Sequence, residues 1–388
     1  MSKLIGGALA ALALLAAPAS AQQPKRPEAA NLLAWSAEQQ SAGYRAMEDY
    51  FEVTTIRRGD KVHPLPSAGR TIEVAYASGG KTWTTADYMA AYNVSGVLVL
   101  KDGKILMERY GMGRTPQDRW TSFSVAKSVT ATLVGAAIAD GKIRSLAAPV
   151  TDYVPQLKGS GYDGVTVRQL LMMSSGVKWS EDYEDPKSDV AQAGGAALEP
   201  GVNPIVSYMR RLPRQTPPGT KFHYNTGETD LVGVLVSNAV GKSLSEYASE
   251  KIWRPYGMER DGIWMTDRAG HERGGCCMSM TLRDYGRLGQ FILDGGKAGG
   301  KPVLPAGWTT EAGTKQIDNG GGGYGYFWWI RPEGGFAAEG IFGQAIAIVP
   351  QDHLVVVINS AWRRADAPED WAAQAAFIKA IRAAARGG

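Results

Sequence analysis

Cysteine is almost missing from this chain, with two among 388 residues, and those two, Cys276 and Cys277, are neighbours. Adjacent cysteines cannot build a multi-bridge framework, and an ordinary disulfide between them is sterically awkward, so the fold must be held by its core. The plain reading is two small half-buried side chains, with a vicinal bridge left open in an oxidising compartment. Histidine is scarce too, at four residues. With no Gly-x-Ser-x-Gly motif, and with His223, His271 and His353 in no arrangement that points to a base, a histidine triad is disfavoured. His-Glu-x-x-His and paired ligand spacings are likewise missing, so neither a metal nor an organic cofactor is implied. Charge of one sign never accumulates: 42 basic and 38 acidic residues are scattered to a net +4. That pattern argues against a nucleic-acid partner. After the first residues, no apolar run reaches the ~20 residues of a spanning helix, so no membrane span is expected once the leader is removed.

What is present begins with that leader. Lys3 gives a positive end, residues 4–17 an apolar stretch, and Ala19-Ser20-Ala21 a small-residue cleavage site. The pattern predicts a secretory signal over 1–21, a mature chain from Gln22, and a periplasmic or secreted protein. A polar lead to about residue 28 opens an N-terminal extension, 22–90. Residues 94–100 and 105–109 read as a β-hairpin around Lys101-Asp102-Gly103-Lys104, because Asp-Gly supplies the positive φ angles of a tight turn. Residues 124–140 read as one helix buried on most sides, ending before Gly141. Residues 150–293 look mostly helical, with runs at 231–240 and 244–253. Strand-like segments follow at 324–330, 344–349 and 354–360, then a closing helix at 369–385. Strands at both ends of the chain and helices between them predict an α/β protein with one antiparallel sheet, flanking helices and a helical insertion. The domain reading is a unit over 91–388, with α/β parts at about 91–145 and 300–388 and the helical region at about 146–299.

Ser-x-x-Lys occurs three times: Ser78/Lys81, Ser124/Lys127 and Ser175/Lys178. The first and last lie in breaker-rich segments, and only Ser124 opens a helix. Positions i and i+3 share a helix face, which brings the Lys127 ammonium within reach of the Ser124 hydroxyl. Val125, Ala126 and Val129 supply the desolvation that lowers a lysine pKa and makes it a base. The bland alternative is an N-cap serine beside a lysine reaching to the surface.

Further segments line up in order: SVAK at 124–127, PPGTKFHYNTGETDLVGVLV at 217–236, RPYGM at 254–258, GGCCMSMTLRDYGRLGQFIL at 274–293 and GIFGQAIAIVP at 340–350. Together they resemble the penicillin-recognising serine hydrolases, from about residue 90 to the C-terminus. The likeness is to the class C β-lactamase-like branch of esterases, DD-peptidases and 6-aminohexanoate-dimer hydrolases, and within it to the last subgroup. The resemblance implies a β-lactamase/transpeptidase-like fold, Ser124 as nucleophile, Lys127 as its base, and Tyr224 beside them as a phenolate or as part of a shared proton network. It also implies an oxyanion hole from the backbone NH groups of Ser124 and Gln344, with Phe342 and Gly343 bordering the substrate. Tyr183, in WSEDYEDPKSDV at 179–190, matches a loop tyrosine that closes over a linear amide.

Two departures matter. Tyr224-Asn225-Thr226 has threonine where many relatives carry a second-motif asparagine, and Ile341-Phe342-Gly343-Gln344 lacks the lysine of Lys-Thr-Gly, which argues against potent β-lactamase or DD-peptidase activity. The acidic loop around Tyr183, with Glu181, Asp182, Glu184 and Asp185, is either solvated or a cleft border that favours a cationic amino end on the substrate. Trp120, Trp179, Phe342, Trp328 and Trp329 are candidates for an apolar cleft, with two of them expected at the site. The expected function is an exported serine hydrolase working through an acyl-enzyme on a small-molecule linear amide or ester. A cell-wall DD-peptidase or weak β-lactamase, and a non-catalytic penicillin-binding-like scaffold, remain as alternatives.

Overall fold

The computed structural model describes residues 32–195 and 199–387. The expected signal at 1–21 and the polar lead after it lie outside the described residues. In chain order, the elements that build the site are α1 (Ala37–Gly43), β1 (Val53–Ile56), β2 (Val94–Lys101), β3 (Lys104–Tyr110), β4 (Arg119–Thr121), α2 (Val125–Ala139), α3 (Thr226–Val240) and β5 (Gly262–Met265). They continue with β6 (Met278–Thr281), α4 (Leu282–Leu293), β7 (Trp329–Ile330), β8 (Phe336–Gly340), β9 (Gln344–Val349), β10 (Leu354–Ser360) and α5 (Pro368–Arg386).

The main sheet runs β7-β8-β9-β10-β2-β3, antiparallel throughout. It joins a hairpin from the first third of the chain to four strands from the last quarter. The β2–β3 turn works as its sequence requires, with Asp102 at φ 51 and Gly103 at φ 73. Alternation along the strands sorts side chains to two faces. Leu98, Leu100, Ile346, Ile348, Val355 and Val357 join the core under α4. Val97, Val99, Ala347, Val356 and Ile358 meet Phe377 and Ile381 of α5 on the other face. Each of the valine, leucine, isoleucine and phenylalanine side chains contributes about 1.5–3 kcal/mol on full burial. Helix α4 lies close because Gly286 and Gly289 carry no side chain there: a Cβ would sit 2.4 Å from Leu98 Cδ2 and 2.5 Å from Val355 Cγ1. The result is the β-lactamase/transpeptidase-like α/β architecture, an antiparallel sheet with helices on both faces.

A second antiparallel sheet, β1-β5-β6-β4, takes its edge strand β1 from the N-terminal segment and through β4 delivers the chain to Ser124. Three local expectations shift. The strand expected over 324–330 is confined to Trp329–Ile330, because Gly325 packs its backbone on the Ala312 carbonyl and Phe327 turns at φ 58. Strand β8 carries little signal in its sequence, since Ala337, Ala338 and Gly340 have weak strand preference and pairing with β7 and β9 makes them a strand. The helix expected over 244–253 is α-helical only to Ala248, and then widens into a π-helix over Ser249–Gly257, with Pro255 inside it unable to donate a backbone hydrogen bond. Cys276 and Cys277 are joined to each other.

Candidate active site

Helix α2 is built from a run without proline or charge apart from Lys127, and its residues 125–137 are all buried. Ser124 stands at its N-cap position but makes no side-chain cap hydrogen bond. Its hydroxyl instead meets the ammonium one turn on, with Lys127 Nζ 3.0 Å from Ser124 Oγ. Nζ also donates to the Gly275 carbonyl at 2.9 Å. Lys127 is only 2% exposed, so it does not reach the surface. Burial pushes its pKa down to about 8, opposed by smaller upward pulls from Glu181 and Asp230 and aided by a downward one from Arg273. The Gly275 peptide is held from behind, its NH donating to Asp230 Oδ1 at 2.7 Å, while Thr130 Oγ1 donates to the Gly274 carbonyl at 2.7 Å.

Tyr224 comes from the turn before α3, where Asn225 caps the helix by accepting from the Glu228 NH at 3.0 Å. The phenol interacts with the Ser124 side chain, and its ring centroid is 5.3 Å from Lys127 Nζ. Trp329 stacks on that ring at 5.6 Å. Burial, reinforced by the Glu181 charge, raises the Tyr224 pKa far above its usual value, so the phenol stays protonated at any ordinary pH. This favours the shared proton network over a phenolate.

These groups open into a cleft of about 440 Å³ lined by Ser124, Tyr224, Tyr183, Glu181, Trp329, Glu339, Gly340, Ile341, Asp366 and Trp371. Along the loop 179–183, Trp179, Glu181 and Tyr183 turn to one side, with the Trp179 indole and the Tyr183 phenol both donating to Glu181. Asp182, Glu184 and Asp185 are exposed, whereas Glu181 faces inward, accepting from Thr226 N at 3.0 Å, from Tyr183 Oη at 2.8 Å, and from Thr226 Oγ1 and Trp179 Nε1. The i, i+2 spacing Trp179-x-Glu181-x-Tyr183 was the available signal for Glu181. Asp366 accepts from Trp371 Nε1, and Glu339 pairs with Arg331. Nothing local in the sequence marked Asp366, Glu339 or Trp371, which reach the cleft from three separate elements.

The third motif sits differently from expectation. Gln344 is fully buried, its backbone opposite Gly340 in the β8–β9 hairpin and its amide donating to Ser360 O at 2.7 Å and Phe342 O at 3.1 Å. Phe342 points into an aromatic cluster behind the site, and Gly343 faces Trp362, which a Cβ would meet at 2.3 Å. None of the three lines the cleft. The wall opposite Ser124 is Gly340 and Ile341, so close that a Cβ on Gly340 would lie 2.9 Å from Ser124 N and 2.6 Å from Ser122 O. The shift follows from the tight turn at 341–343, where Phe342 (φ 58) and Gly343 (φ 85) carry the chain away from the cleft before Gln344. Of the tryptophans and Phe342 named for an apolar cleft, Trp329 lines it, while Trp120, Trp179 and Trp328 are core.

A family model described as Beta-lactamase matches residues 84–379. The chain therefore belongs to the beta-lactamase family of serine hydrolases. It is 34% identical over 285 residues to the 6-aminohexanoate-dimer hydrolase of Paenarthrobacter ureafaciens, covering 68% of this chain and 72% of the relative. Its fold is similar to that of a Bacillus anthracis protein provisionally assigned as a 6-aminohexanoate-dimer hydrolase, with TM-score 0.80 and 24% identity over 93% of this chain and 96% of the other. A family VIII carboxylesterase shares the fold at TM-score 0.59 and 16% identity, over 76% of this chain and 96% of that one. Among the described residues no helix is long and apolar enough to cross a membrane.

Proposed function

We propose that this protein is an exported hydrolase of small linear amides or carboxylic esters, acting through an acyl-enzyme on Ser124. The observation that carries this reading is the 3.0 Å approach of a buried Lys127 Nζ to Ser124 Oγ, with the lysine pKa brought down to about 8 by burial. A neutral lysine accepts the Ser124 proton as Oγ bonds to the substrate carbonyl carbon. The Tyr224 phenol passes its proton to the leaving nitrogen or oxygen while the carbon–leaving group bond breaks, and regains one from the Lys127 ammonium, which returns to the neutral amine. Water then attacks the acyl-enzyme carbonyl, its proton passing through Lys127 to Ser124 Oγ as the carbon–Oγ bond breaks and the acid departs. In this reading the backbone NH of Ile341, a residue that lines the cleft, joins Ser124 NH as the oxyanion hole in place of the expected Gln344 NH.

The cleft lining supports the substrate class. Aromatic Tyr183, Tyr224, Trp329 and Trp371 suit an alkyl chain, and the Glu181, Glu339 and Asp366 carboxylates suit a cationic amino end. No arginine or lysine lines the cleft among the described residues, which disfavours the carboxylate of a penicillin. The similarity to a 6-aminohexanoate-dimer hydrolase points the same way. Export rests on Lys3, the apolar run and Ala19-Ser20-Ala21.

The test is turnover of a linear aminoalkanoyl amide, short-chain esters and a β-lactam panel by wild type and Ser124→Ala, with fluorophosphonate labelling of both. Amide or ester cleavage and labelling that vanish in Ser124→Ala are expected. Rapid penicillin turnover without ester or amide cleavage overturns the substrate reading, and unchanged turnover in Ser124→Ala overturns the nucleophile.

A further inference from the structure

We infer that the N-terminal segment around α1 is part of the catalytic apparatus: Tyr44 is a positioning residue whose ring sets the spacing between the Ser124 turn and the Ile341 wall. This inference rests on the reading of Ser124 as nucleophile.

Two residues next to the reacting atoms hold a backbone conformation that side chains disfavour. Phe123, just before Ser124, sits at φ 42, and Phe342, just after Ile341, at φ 58. Such turns persist only where their surroundings over-determine them. Here the surroundings are a three-ring cluster. Phe123 and Phe342 lie 5.2 Å apart by ring centroids, and Tyr44 touches both, edge-on to Phe123 at 5.2 Å and tilted on Phe342 at 6.0 Å. Tyr44 is the one member contributed from outside the two cleft walls, and it is fully buried.

Tyr44 is itself held firmly. Its NH closes α1 by donating to Gln40 O at 3.0 Å, and its carbonyl accepts from Thr121 N at 2.9 Å, three residues before Ser124. Trp35 stacks on it at 5.9 Å, and Trp120 meets it edge-on at 5.6 Å. Gly43 leaves the room Trp35 needs, since a Cβ there would lie 2.3 Å from that indole. Arg45, the next residue, donates to the carbonyls of Gly113 at 3.1 Å and of Met112. The ring is therefore a fixed wedge between the backs of two turns whose front faces carry Ser124 and Ile341. Without it, each phenylalanine loses the neighbour that keeps its φ positive, and the two backbone NH groups drift from a common point.

The measurement is the ratio of kcat/KM for an ester to that for its thionoester, whose sulfur is a poor guest for an oxyanion hole. A loss of folded enzyme scales both rates equally and leaves the ratio alone, so the ratio reports geometry. Tyr44→Phe keeps the ring and is expected to keep the ratio within about twofold of wild type. Tyr44→Ala, or Tyr44→Leu if the alanine variant does not fold, is expected to lower the ratio about tenfold or more, mainly through kcat on the ester. A ratio unchanged in the variant lacking the ring overturns the inference. Ser124→Ala run alongside separates the two readings: if it retains turnover, the nucleophile assignment fails and the positioning role with it; if it is inactive while the ratio holds, the positioning role alone fails.

Discussion

If a buried Lys127 is the base, the pH profile of kcat/KM must report it. The free ammonium value of 10.5 falls to about 8 in this site. That difference is about 3 kcal/mol of preference for the neutral amine, and at pH 7 it raises the neutral fraction from roughly 3 in 10,000 to roughly 1 in 10. For an ester substrate, kcat/KM is expected to climb about 90-fold from pH 6 to 9, with slope one below pH 8 and a plateau above it. An unperturbed lysine gives roughly a thousandfold rise over the same window and no plateau. Glu181 contributes the largest charge effect on Lys127, and it raises the pKa. Glu181→Gln therefore moves the break to lower pH, whatever it does to the plateau. Initial rates at constant ionic strength decide the matter. A level profile from pH 6 to 9, or Lys127→Arg with wild-type activity, refutes the reasoning, because an arginine cannot lose its proton in this range.

Other expectations follow from single contacts. Gly340→Ala places a methyl 2.9 Å from Ser124 N, so acylation is expected to fall at least 100-fold in folded protein, read by burst kinetics with an activated ester. Asp366→Asn removes a rim carboxylate, and is expected to raise KM several-fold for a substrate ending in an ammonium group while leaving a neutral ester of equal length unchanged. Glu228 is 2% exposed, with Ser175 and, at 3.4 Å, Asn225 Nδ2 as side-chain donors, and burial raises its pKa from 4.5 to about 8. A carboxyl whose pKa is raised by folding contributes stability that is complete below pH 4.5 and lost as pH rises through 8. The loss from pH 5 to 9 is at most about 4 kcal/mol. Glu228→Gln, shaped like the protonated acid, is expected to hold its Tm at pH 9 where wild type declines; parallel curves would show that Glu228 is not the titrating group.

Much of the scaffold was legible because it rests on local rules. Short, near-continuous apolar runs rich in valine, isoleucine and leucine at 94–100, 344–349 and 354–360 mark buried strands, and Asp102-Gly103 supplies the positive φ angles of its hairpin turn locally. The uncapped, proline-free run from Val125 becomes a helix for the same reason. Strand β8 escaped notice because alanine and glycine carry no such signal, and the end of β8 is where the cleft wall lies.

The sequence by itself determined that one serine and one lysine share the first turn of a buried helix, and that strands from both ends of the chain must find one another in an antiparallel sheet. Only the tertiary structure decided what surrounds that pair. Lys127 is a candidate base because helices and the Gly275 peptide enclose it, and desolvation depends on atoms distant in the chain. Glu181 turned inward while Asp182, Glu184 and Asp185 stayed in water: alternation with Trp179 and Tyr183 marks its side, but the Thr226 donors that hold it there come from a distant part of the chain. Likewise Gly340 and Ile341, rather than Gln344, came to face Ser124, because two consecutive left-handed residues turn the chain before Gln344 is reached. Helical and strand periods are properties of short segments, whereas proton affinity and the aim of a backbone NH are properties of the whole enclosure.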